Sequence, residues 1–190
     1  MKKIIVSMNL TLDGFISGPS SELEWHFKSW NNEMAESLAE ELSGSDSILM
    51  GRITYQAMEK FWTSLAAGPS SSHEDILFVY LINQYHKIVF SKTLKKVEWN
   101  NSELLKGDLN DEILKLKKRP GKNIMMYGSG QLVNSLIKLN LVDEYQLWIH
   151  PTLLGRGIPL FSSLSHTMDL TLYKSKIFSS GVVLLKYRLK

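Results

Sequence analysis

The stretch IMMYGSGQLVNSLI, residues 124–137, joins an apolar run to a helix-like pattern through a glycine-containing turn. Residues 124–127 are apolar and β-prone, which predicts a buried strand that ends at Gly128. Apolar residues then recur at helical spacing: Leu132, Val133, Leu136 and Ile137. The stretch therefore predicts a strand that is followed directly by a helix, as in proteins of the α/β class.

A second junction of this kind lies earlier in the chain. Residues 47–50 predict a short buried strand, and Gly51-Arg52 leads into a helix. The apolar residues of that helix share one side: Tyr55, Met58 and Phe61. A helix start presents free backbone N–H groups to an anion, and glycine lets a phosphate approach closely, so two junctions indicate a dinucleotide site. Taken singly, each is more typical of a tight turn, and Gly128-Ser129-Gly130 lacks the third glycine of G-x-G-x-x-G.

Strands and helices alternate along the rest of the chain. Residues 4–10 and 87–91 predict strands. Amphipathic helices are predicted for residues 31–42 and for the segment that Asp108 caps, and a loop is predicted at 65–73. Three later β-prone runs predict an antiparallel edge of the sheet: residues 144–149, 170–178 and 182–189.

Composition limits the classes of protein that this chain can belong to. Its 190 residues are 44% hydrophobic and 22% charged, which predicts one compact domain, residues 1–190, with a sizeable core. The net charge of +3 is too small and too scattered to indicate a nucleic-acid or membrane partner, so we expect a small-molecule partner. The absence of cysteine excludes a thiolate nucleophile and a cysteine-ligated zinc site. The five histidines form no H-x-x-x-H pair, so no metal is expected.

The apolar runs are too short or too interrupted for targeting or membrane segments. Ser7, Asn9 and Thr11 interrupt the N-terminal run, which also lacks a small-residue cleavage site. The longest apolar run, residues 76–82, is far shorter than the roughly 20 residues that span a bilayer. We therefore expect a cytoplasmic protein.

Five motifs occur in this order along the chain: LDGFI at 12–16, LMGRITY at 49–55, KIVFS at 87–91, YGSG at 127–130, and LVDEY at 141–145 leading to PTLLGRGIPLF at 151–161. They resemble the dihydrofolate reductase-like superfamily, specifically the branch that contains the C-terminal reductase domain of the bacterial riboflavin-biosynthesis deaminase-reductase. The last motif is the most specific to that branch. The resemblance covers essentially the whole chain and implies a three-layer α/β fold, with a mixed, mainly parallel central sheet flanked by helices.

The resemblance also implies NADPH as the cofactor. The implied phosphate-binding residues are the first helix start and the second glycine turn with the helix after it: Gly51, Arg52, Ile53, Thr54, Gly128, Ser129, Gly130, Gln131 and Leu132. Ser91 and Lys92 correspond to positions near the adenosine end. Arg52 offers a bidentate fork and Lys92 a point charge for the 2'-phosphate that NAD lacks, although Lys92 is equally interpreted as a solvated loop lysine.

A reductase of this type transfers hydride to a polarised C=N or C=O bond, so a proton must also arrive from a positioned acid or from water. Asp13 ends the first predicted strand, and Glu24 precedes Trp25 in a segment that could cover the substrate. Glu36 lies on the helix that contains the catalytic carboxylate in true dihydrofolate reductases. The alternatives are that Asp13 forms a turn and that the glutamates are solvated.

Other positions bear on the substrate. True dihydrofolate reductases bind the folate glutamate tail through an arginine just before the strand that corresponds to residues 87–91, and Tyr85 stands there in this chain. Without cysteine, the zinc site of the deaminase partner is excluded. Arg156 is the one obvious basic residue of the last motif. His150, before Pro151, is interpreted as a structural strand-end residue.

The sequence therefore predicts an NADPH-dependent reductase of a small heterocyclic or carbonyl substrate. One alternative is a stand-alone reductase of the riboflavin pathway, acting on 5-amino-6-(5-phosphoribosylamino)uracil. Others are true dihydrofolate reductase activity and a nucleotide-binding or interaction module without turnover. Pairing of edge strands would produce a homodimer.

Overall fold

The computed structural model describes residues 1–65, 82–162, 164 and 166–190, with the backbone alone described for residues 61–65. The strands are β1 (Ile4–Thr11), β2 (Phe15–Ser17), β3 (Ser45–Gly51), β4 (His86–Phe90), β5 (Ser102–Leu105), β6 (Asn123–Tyr127), β7 (Glu144–His150), β8 (Ile158–Pro159), β9 (Leu170–Ile177) and β10 (Val183–Leu189). The helices are α1 (Glu24–Lys28), α2 (Asn32–Ser43), α3 (Arg52–Leu65), α4 (Leu109–Lys118) and α5 (Gly130–Lys138).

Eight strands form the central sheet in the order β5-β4-β3-β6-β1-β7-β10-β9. The first six of these run parallel, and β10 pairs antiparallel with both β7 and β9. The prediction of a mixed, mainly parallel sheet with an antiparallel C-terminal edge is therefore confirmed. A small second sheet joins β2 to β8, which brings the segment after β1 against the segment after β7.

Helices cover both faces of the central sheet. Alternate residues of β1 lie in a core together with apolar residues of α4 and α5: Ile4, Val6, Met8 and Leu10. On the opposite face, Ile48 and Met50 of β3 pack in a core with Leu42 of α2 and Tyr55 of α3. Because neighbouring side chains of a strand point to opposite faces, these cores define the three layers that were predicted.

The predicted longer helices form where local signals favour them. The side chain of Asn31 accepts a hydrogen bond from the backbone N–H of Met34 at the start of α2, and Asp108 does the same for Asp111 at the start of α4. Three lysines in the last turn of α4 complement the helix dipole. The predicted loop at 65–73 lies outside the described residues except for Leu65, the last residue of α3.

Several short elements were not predicted, namely β2, α1, β5 and β8. Each has five residues or fewer, so none shows a periodic pattern. Strand β9 is the outer edge of the sheet and is mostly exposed, and its pairing with a second copy of the chain stays a prediction. In the part of the chain that the structure describes, no helix has the length and apolar character needed to cross a membrane.

Candidate functional site

The parallel strands end along one edge of the sheet, and the predicted cofactor-binding residues lie there. Gly51 ends β3, Ser91 follows β4, and Gly128 follows β6. In open α/β sheets, ligands bind in the crevice outside the carboxyl ends of the strands. The structure thus gathers at one edge residues that are far apart in the sequence.

Ser129 joins the two glycine junctions to each other. Its Oγ accepts a hydrogen bond from the backbone N–H of Gly51 at 2.9 Å and lies 2.8 Å from Oγ1 of Thr54. Gly51 precedes α3 and Ser129 precedes α5, so these hydrogen bonds hold the two helix starts side by side. An anion at this edge can therefore meet both helix N-termini.

The glycines allow a close approach between the turn after β6 and its neighbours, and the constraint is strongest at Gly128. Gly128 has a φ of +61°, and a Cβ atom there would lie 2.7 Å from Cγ2 of Thr54. A Cβ atom on Gly130 would lie 2.5 Å from Cδ1 of Ile16. Ser129 itself has a φ of 55°, which is uncommon for a residue other than glycine and is held here by its hydrogen bonds. The conformation of the turn at residues 128–130 is thus fixed by hydrogen bonds and by close packing.

The backbone N–H groups that open α5 are suited to bind phosphate. Ser129 is the N-cap residue, but its side chain makes no capping hydrogen bond, because it is directed toward Gly51 and Thr54. The first hydrogen bond of the helix runs from the N–H of Val133 to the carbonyl of Ser129, so the N–H groups of Gly130, Gln131 and Leu132 have no acceptor within the helix. The side chain of Leu132 is buried in the core and cannot contact a ligand, so Leu132 would bind a ligand only through its backbone N–H. Together with the helix dipole, these donors fit a phosphate group.

Basic groups flank the junctions on the β4 side. Gly51 of β3 pairs with Phe90 of β4 in the sheet. The residues that follow them, Arg52 and Ser91, therefore lie at the same edge of the sheet on neighbouring segments. Arg52 is exposed and donates to Oε1 of Gln56 at 3.2 Å, and Lys92 is exposed as well. The Oγ of Ser91 accepts from the backbone N–H of Leu94, so that side chain also shapes the turn after β4.

Asp13 occupies a backbone-binding position. Its carboxylate accepts hydrogen bonds from the N–H groups of Gly155 at 2.7 Å and Leu154 at 3.1 Å, and from Oγ1 of Thr11 at 2.6 Å. The Thr11 hydroxyl and these N–H groups hold the pKa of the Asp13 carboxyl below its usual range. Asp13 thereby ties the turn after β1 to the loop after β7.

The two candidate glutamates lie on consecutive helices, Glu24 on the short helix α1 and Glu36 on the longer helix α2. Glu24 is the first residue of α1 and Glu36 lies in α2, and both are exposed. The buried side of α2 is formed instead by Met34, Ser37 and Leu42. Among the described residues, no group of three or more acidic and histidine side chains is placed to hold one ion, and both glutamates lie on the surface.

A cluster of rings lies at the ends of β1 and β7, and the sequence did not predict it. His150, the last residue of β7, is fully buried, and its ring centroid lies 5.1 Å from that of Trp25 and 5.3 Å from that of His26. Nε2 of His150 lies 2.8 Å from Oδ1 of Asn9 in β1. We call Trp25, His26 and His150 the ring cluster. Helix α1 supplies two of its three members and covers the end of the sheet.

The ring cluster contains polar atoms without partners among the described residues. Three buried atoms of the cluster have none: Nε1 of Trp25, Nε2 of His26 and Nδ1 of His150. Burial lowers the pKa of His26 to about 4, and burial together with the neighbouring His26 lowers that of His150 to about 4. Both imidazoles are therefore neutral at pH 7. An unpartnered buried polar atom costs roughly 1–3 kcal/mol, so such a group at a strand end is a candidate for ligand binding.

One sequence signal could have located the ring cluster. Polar residues alternate with apolar ones in β1, namely Ser7, Asn9 and Thr11, and this period of two places them on one face. Ser7 accepts from Nε1 of Trp148, and Asn9 contacts His150. Polar side chains on one face of a central strand indicate partners on a neighbouring strand.

Known structures define the class of protein to which this fold and edge belong. A dihydrofolate reductase from Enterococcus faecalis, solved with NADP(H), is similar with a TM-score of 0.62 and 12% identity, over 99% of this chain and 96% of that one. A protein from Shewanella sp. PV-4, assigned to riboflavin biosynthesis, is similar with a TM-score of 0.78 and 25% identity, over 99% of both chains. The fold is that of dihydrofolate reductase, as the sequence motifs implied.

The family is established by a match over nearly the whole chain. Residues 2–184 match the RibD C-terminal domain, and the chain belongs to that reductase-like family. The uncharacterized protein YyaP of Bacillus subtilis is 33% identical over 98% of this chain and 94% of its own. A diaminohydroxyphosphoribosylaminopyrimidine deaminase/5-amino-6-(5-phosphoribosylamino)uracil reductase from Thermotoga maritima has a TM-score of 0.68 at 16% identity, and the match covers 57% of its length. The resemblance predicted from the sequence is confirmed.

Proposed function

We propose that the protein is an NADPH-dependent reductase of a small heterocyclic or carbonyl substrate. The observation that supports it most directly is the pair of glycine junctions that Ser129 joins. Its hydrogen bonds hold the N-termini of α3 and α5 next to each other, and helix N-termini bind phosphate. Membership in the RibD C-terminal domain family supports the same conclusion. Bound NADPH would supply the hydride.

The residues at the strand ends fit that cofactor. The N–H groups at the start of α5 and those of the first turn of α3, Arg52 to Thr54, would hold the pyrophosphate, and the glycines let it approach the backbone closely. The guanidinium of Arg52 and the ammonium of Lys92 would pair with the 2'-phosphate. Exposed Ile53 adds apolar surface beside Arg52.

The proton that accompanies hydride transfer would come from water or from one of the candidate carboxylates. Asp13 is ionised and already accepts three hydrogen bonds, so we propose that it positions the loop at 154–155. Glu24 and Glu36 are exposed and would reach a substrate from the solvent side.

Arg52→Ala is expected to weaken NADPH binding about ten- to a hundredfold and NADH binding much less. Charge-assisted hydrogen bonds of this kind contribute roughly 1.5–3 kcal/mol, and NADH lacks the 2'-phosphate. Fluorescence titration with both nucleotides measures the effect. Arg188→Ala is the matched control, because Arg188 is an exposed arginine on β10 that contacts Tyr173. Equal losses for NADPH and NADH would mean that Arg52 does not bind the 2'-phosphate.

Dihydrofolate is expected to be a poor substrate. The hydroxyl of Tyr85 donates to the backbone carbonyl of Leu42 at 2.8 Å, so this position offers no guanidinium for the glutamate tail. The absence of that ion pair lowers affinity by about one or two orders of magnitude. Steady-state NADPH oxidation should give a kcat/KM for dihydrofolate below about 10⁴ M⁻¹s⁻¹. A higher value would place the chain among the true folate reductases.

Two further activities are distinguished by the same assay. Oxidation of NADPH with 5-amino-6-(5-phosphoribosylamino)uracil would support the riboflavin-pathway alternative, which the similarity to the Thermotoga maritima enzyme favours. NADPH binding without oxidation of any tested substrate would favour a nucleotide-binding module without turnover. Failure to bind NADPH would contradict the proposed function.

A further inference from the structure

The segment that contains Lys92 has no regular secondary structure. Residues 91–101, which we call the β4–β5 loop, join β4 to β5 without forming a helix or a strand. Ser91 fixes the beginning of the loop, because its Oγ accepts from the backbone N–H of Leu94 at 3.0 Å. A loop without a ladder of backbone hydrogen bonds depends on side chains to satisfy its N–H groups. The position of Lys92 therefore depends on such contacts at both ends of the loop.

Tyr55 of α3 holds the far end of the β4–β5 loop. Its hydroxyl accepts from the backbone N–H groups of Trp99 at 2.8 Å and Glu98 at 3.0 Å, and it donates to Oε1 of Glu59 at 2.8 Å. A phenol hydroxyl has one proton to donate and two positions that accept, so all three are used here. Tyr55 is buried, and burial raises the pKa of its phenol above the usual value, so the hydroxyl keeps its proton at pH 7.

Trp99 is bound on its other sides as well. Its Nε1 donates to Oδ1 of Asn83 at 2.8 Å, and the ammonium of Lys87 lies 4.7 Å from the centroid of its ring. Lys87 is fully buried, and its Nζ donates to the backbone carbonyls of Ile82 at 3.0 Å and Tyr85 at 2.9 Å. The end of the loop is thus attached both to α3 and to the segment that precedes β4.

The two basic residues proposed for the 2'-phosphate lie on the two segments that Tyr55 joins. Arg52 begins α3, about one helical turn before Tyr55, and Lys92 lies in the β4–β5 loop. One phosphate can pair with both side chains only when the helix and the loop keep a fixed spacing. Groups that are already held in the binding geometry lose less free energy on binding than groups that must first be ordered.

We propose that Tyr55 is a positioning residue for cofactor choice: its hydroxyl holds the β4–β5 loop against α3, so that Arg52 and Lys92 both reach the 2'-phosphate that NADPH has and NADH lacks. This inference rests on the proposed function, which puts that phosphate between the two side chains. Phenylalanine at position 55 would keep a ring beside Trp99, whose centroid lies 6.2 Å away, but would leave two backbone N–H groups of the loop without their acceptor.

The test compares adenosine 2',5'-bisphosphate, which has the 2'-phosphate, with 5'-AMP, which lacks it. Neither compound contains nicotinamide, so the measurement does not depend on turnover. Isothermal titration calorimetry gives both affinities for the unsubstituted protein, Tyr55→Phe and Tyr85→Phe. Tyr85→Phe is the matched control, because Tyr85 packs against the same core and its hydroxyl also binds a backbone group, the carbonyl of Leu42, but it lies before β4, at the opposite end of that strand.

We expect the unsubstituted protein to bind the bisphosphate about a hundredfold more tightly than 5'-AMP, since two charge-assisted contacts distinguish them. Tyr55→Phe should lower this ratio about tenfold and leave the affinity for 5'-AMP unchanged, whereas Tyr85→Phe should leave the ratio unchanged. A merely structural role of the hydroxyl would not alter the ratio. An unchanged ratio in Tyr55→Phe overturns this inference alone. Equal binding of the two compounds by the unsubstituted protein overturns the inference together with the proposed 2'-phosphate site.

Hydrogen exchange of the unsubstituted protein tests the inference even if Tyr55→Phe does not fold. Coupling between two equilibria is reciprocal, so if the hydrogen bonds of Tyr55 favour phosphate binding, bound phosphate favours those hydrogen bonds. We expect saturating bisphosphate to slow exchange of the N–H groups of Glu98 and Trp99 about threefold or more, and saturating 5'-AMP to leave it unchanged. Equal effects of the two compounds on these N–H groups, or no effect of either, overturn the inference.

Discussion

Replacing Gly128 with alanine is expected to weaken NADPH binding at least a hundredfold. The added Cβ would lie 2.7 Å from Cγ2 of Thr54, and the φ of +61° is strained for any side chain. The turn must shift, and the N–H groups at the start of α5 shift with it. Loss of two charge-assisted hydrogen bonds, each contributing roughly 1.5–3 kcal/mol, accounts for an effect of this size or larger. Fluorescence titration with NADPH measures it, and circular dichroism verifies that the variant is folded.

The matched control for this variant is Gly181→Ala. Gly181 has a φ of +83°, but its nearest neighbour for a Cβ would be Pro151 at 3.5 Å, an ordinary contact. Gly181 lies in the turn between β9 and β10, so the control has the same backbone strain without disturbing the glycine junctions. A folded Gly128→Ala protein with normal NADPH affinity would mean that the phosphates bind elsewhere.

The strands and long helices could be predicted because their signals are local. Strand β6 is buried on both faces between β3 and β1, so its sequence is a continuous apolar run. Helix α2 begins at the capping residue Asn31, and its buried residues recur at helical spacing. Each of these features depends on about a dozen consecutive residues, so a periodic pattern in the sequence is long enough to reveal it.

The contacts that form the candidate site join residues far apart in the sequence. Ser129 binds Gly51 across 78 positions, and His150 binds Asn9 across 141 positions. The motifs identified the glycine junctions separately, but no local pattern indicates that one hydroxyl connects them. His150 was interpreted as structural from its position before Pro151, and its relation to Trp25 depends on where the short helix α1 packs.

Asp13 illustrates the same limit for a predicted catalytic group. The sequence shows a carboxylate at the end of a strand, which is typical both of an acid and of a turn. Its hydrogen-bond partners, Leu154 and Gly155, lie 141 and 142 positions away. The choice between the two interpretations therefore depends on the tertiary structure, which favours a positioning role.

Acidification from pH 7 to about pH 4 is expected to destabilise the protein strongly through His150, which is buried, and His26, which packs against it. Burial in the folded state lowers the pKa of His150 from 6.5 to about 4, which favours the neutral ring. Burial lowers the pKa of His26, on the facing helix α1, to about 4 as well. The unfolded state binds protons first as pH falls below about 6.5, so stability is complete above that pH and is lost progressively toward pH 4. One pKa unit corresponds to 1.36 kcal/mol, so His150 alone accounts for roughly 3 kcal/mol.

Urea unfolding at a series of pH values measures this dependence, and His150→Phe should reduce it by about half. Phenylalanine keeps an aromatic ring in contact with Trp25 but cannot titrate. Carboxylates held at a lowered pKa, such as Asp46 and Glu103, contribute at lower pH, because their ordinary values are 3.8 and 4.5. His86→Gln is the comparison variant: burial lowers the pKa of His86 as well, but its side chain is 38% exposed, so this substitution should reduce the dependence less.

Histidine NMR of the unsubstituted protein tests the same prediction even if the variant does not fold. The ring C–H resonances of His150 and His26 should stay at their neutral positions through pH 6 and titrate near pH 4 or only on unfolding. Since the two rings are in contact, protonation of one raises the cost of protonating the other, so the two should not titrate independently. Titration of His150 near its ordinary pKa of about 6.5 would mean that α1 does not cover the end of the sheet in solution.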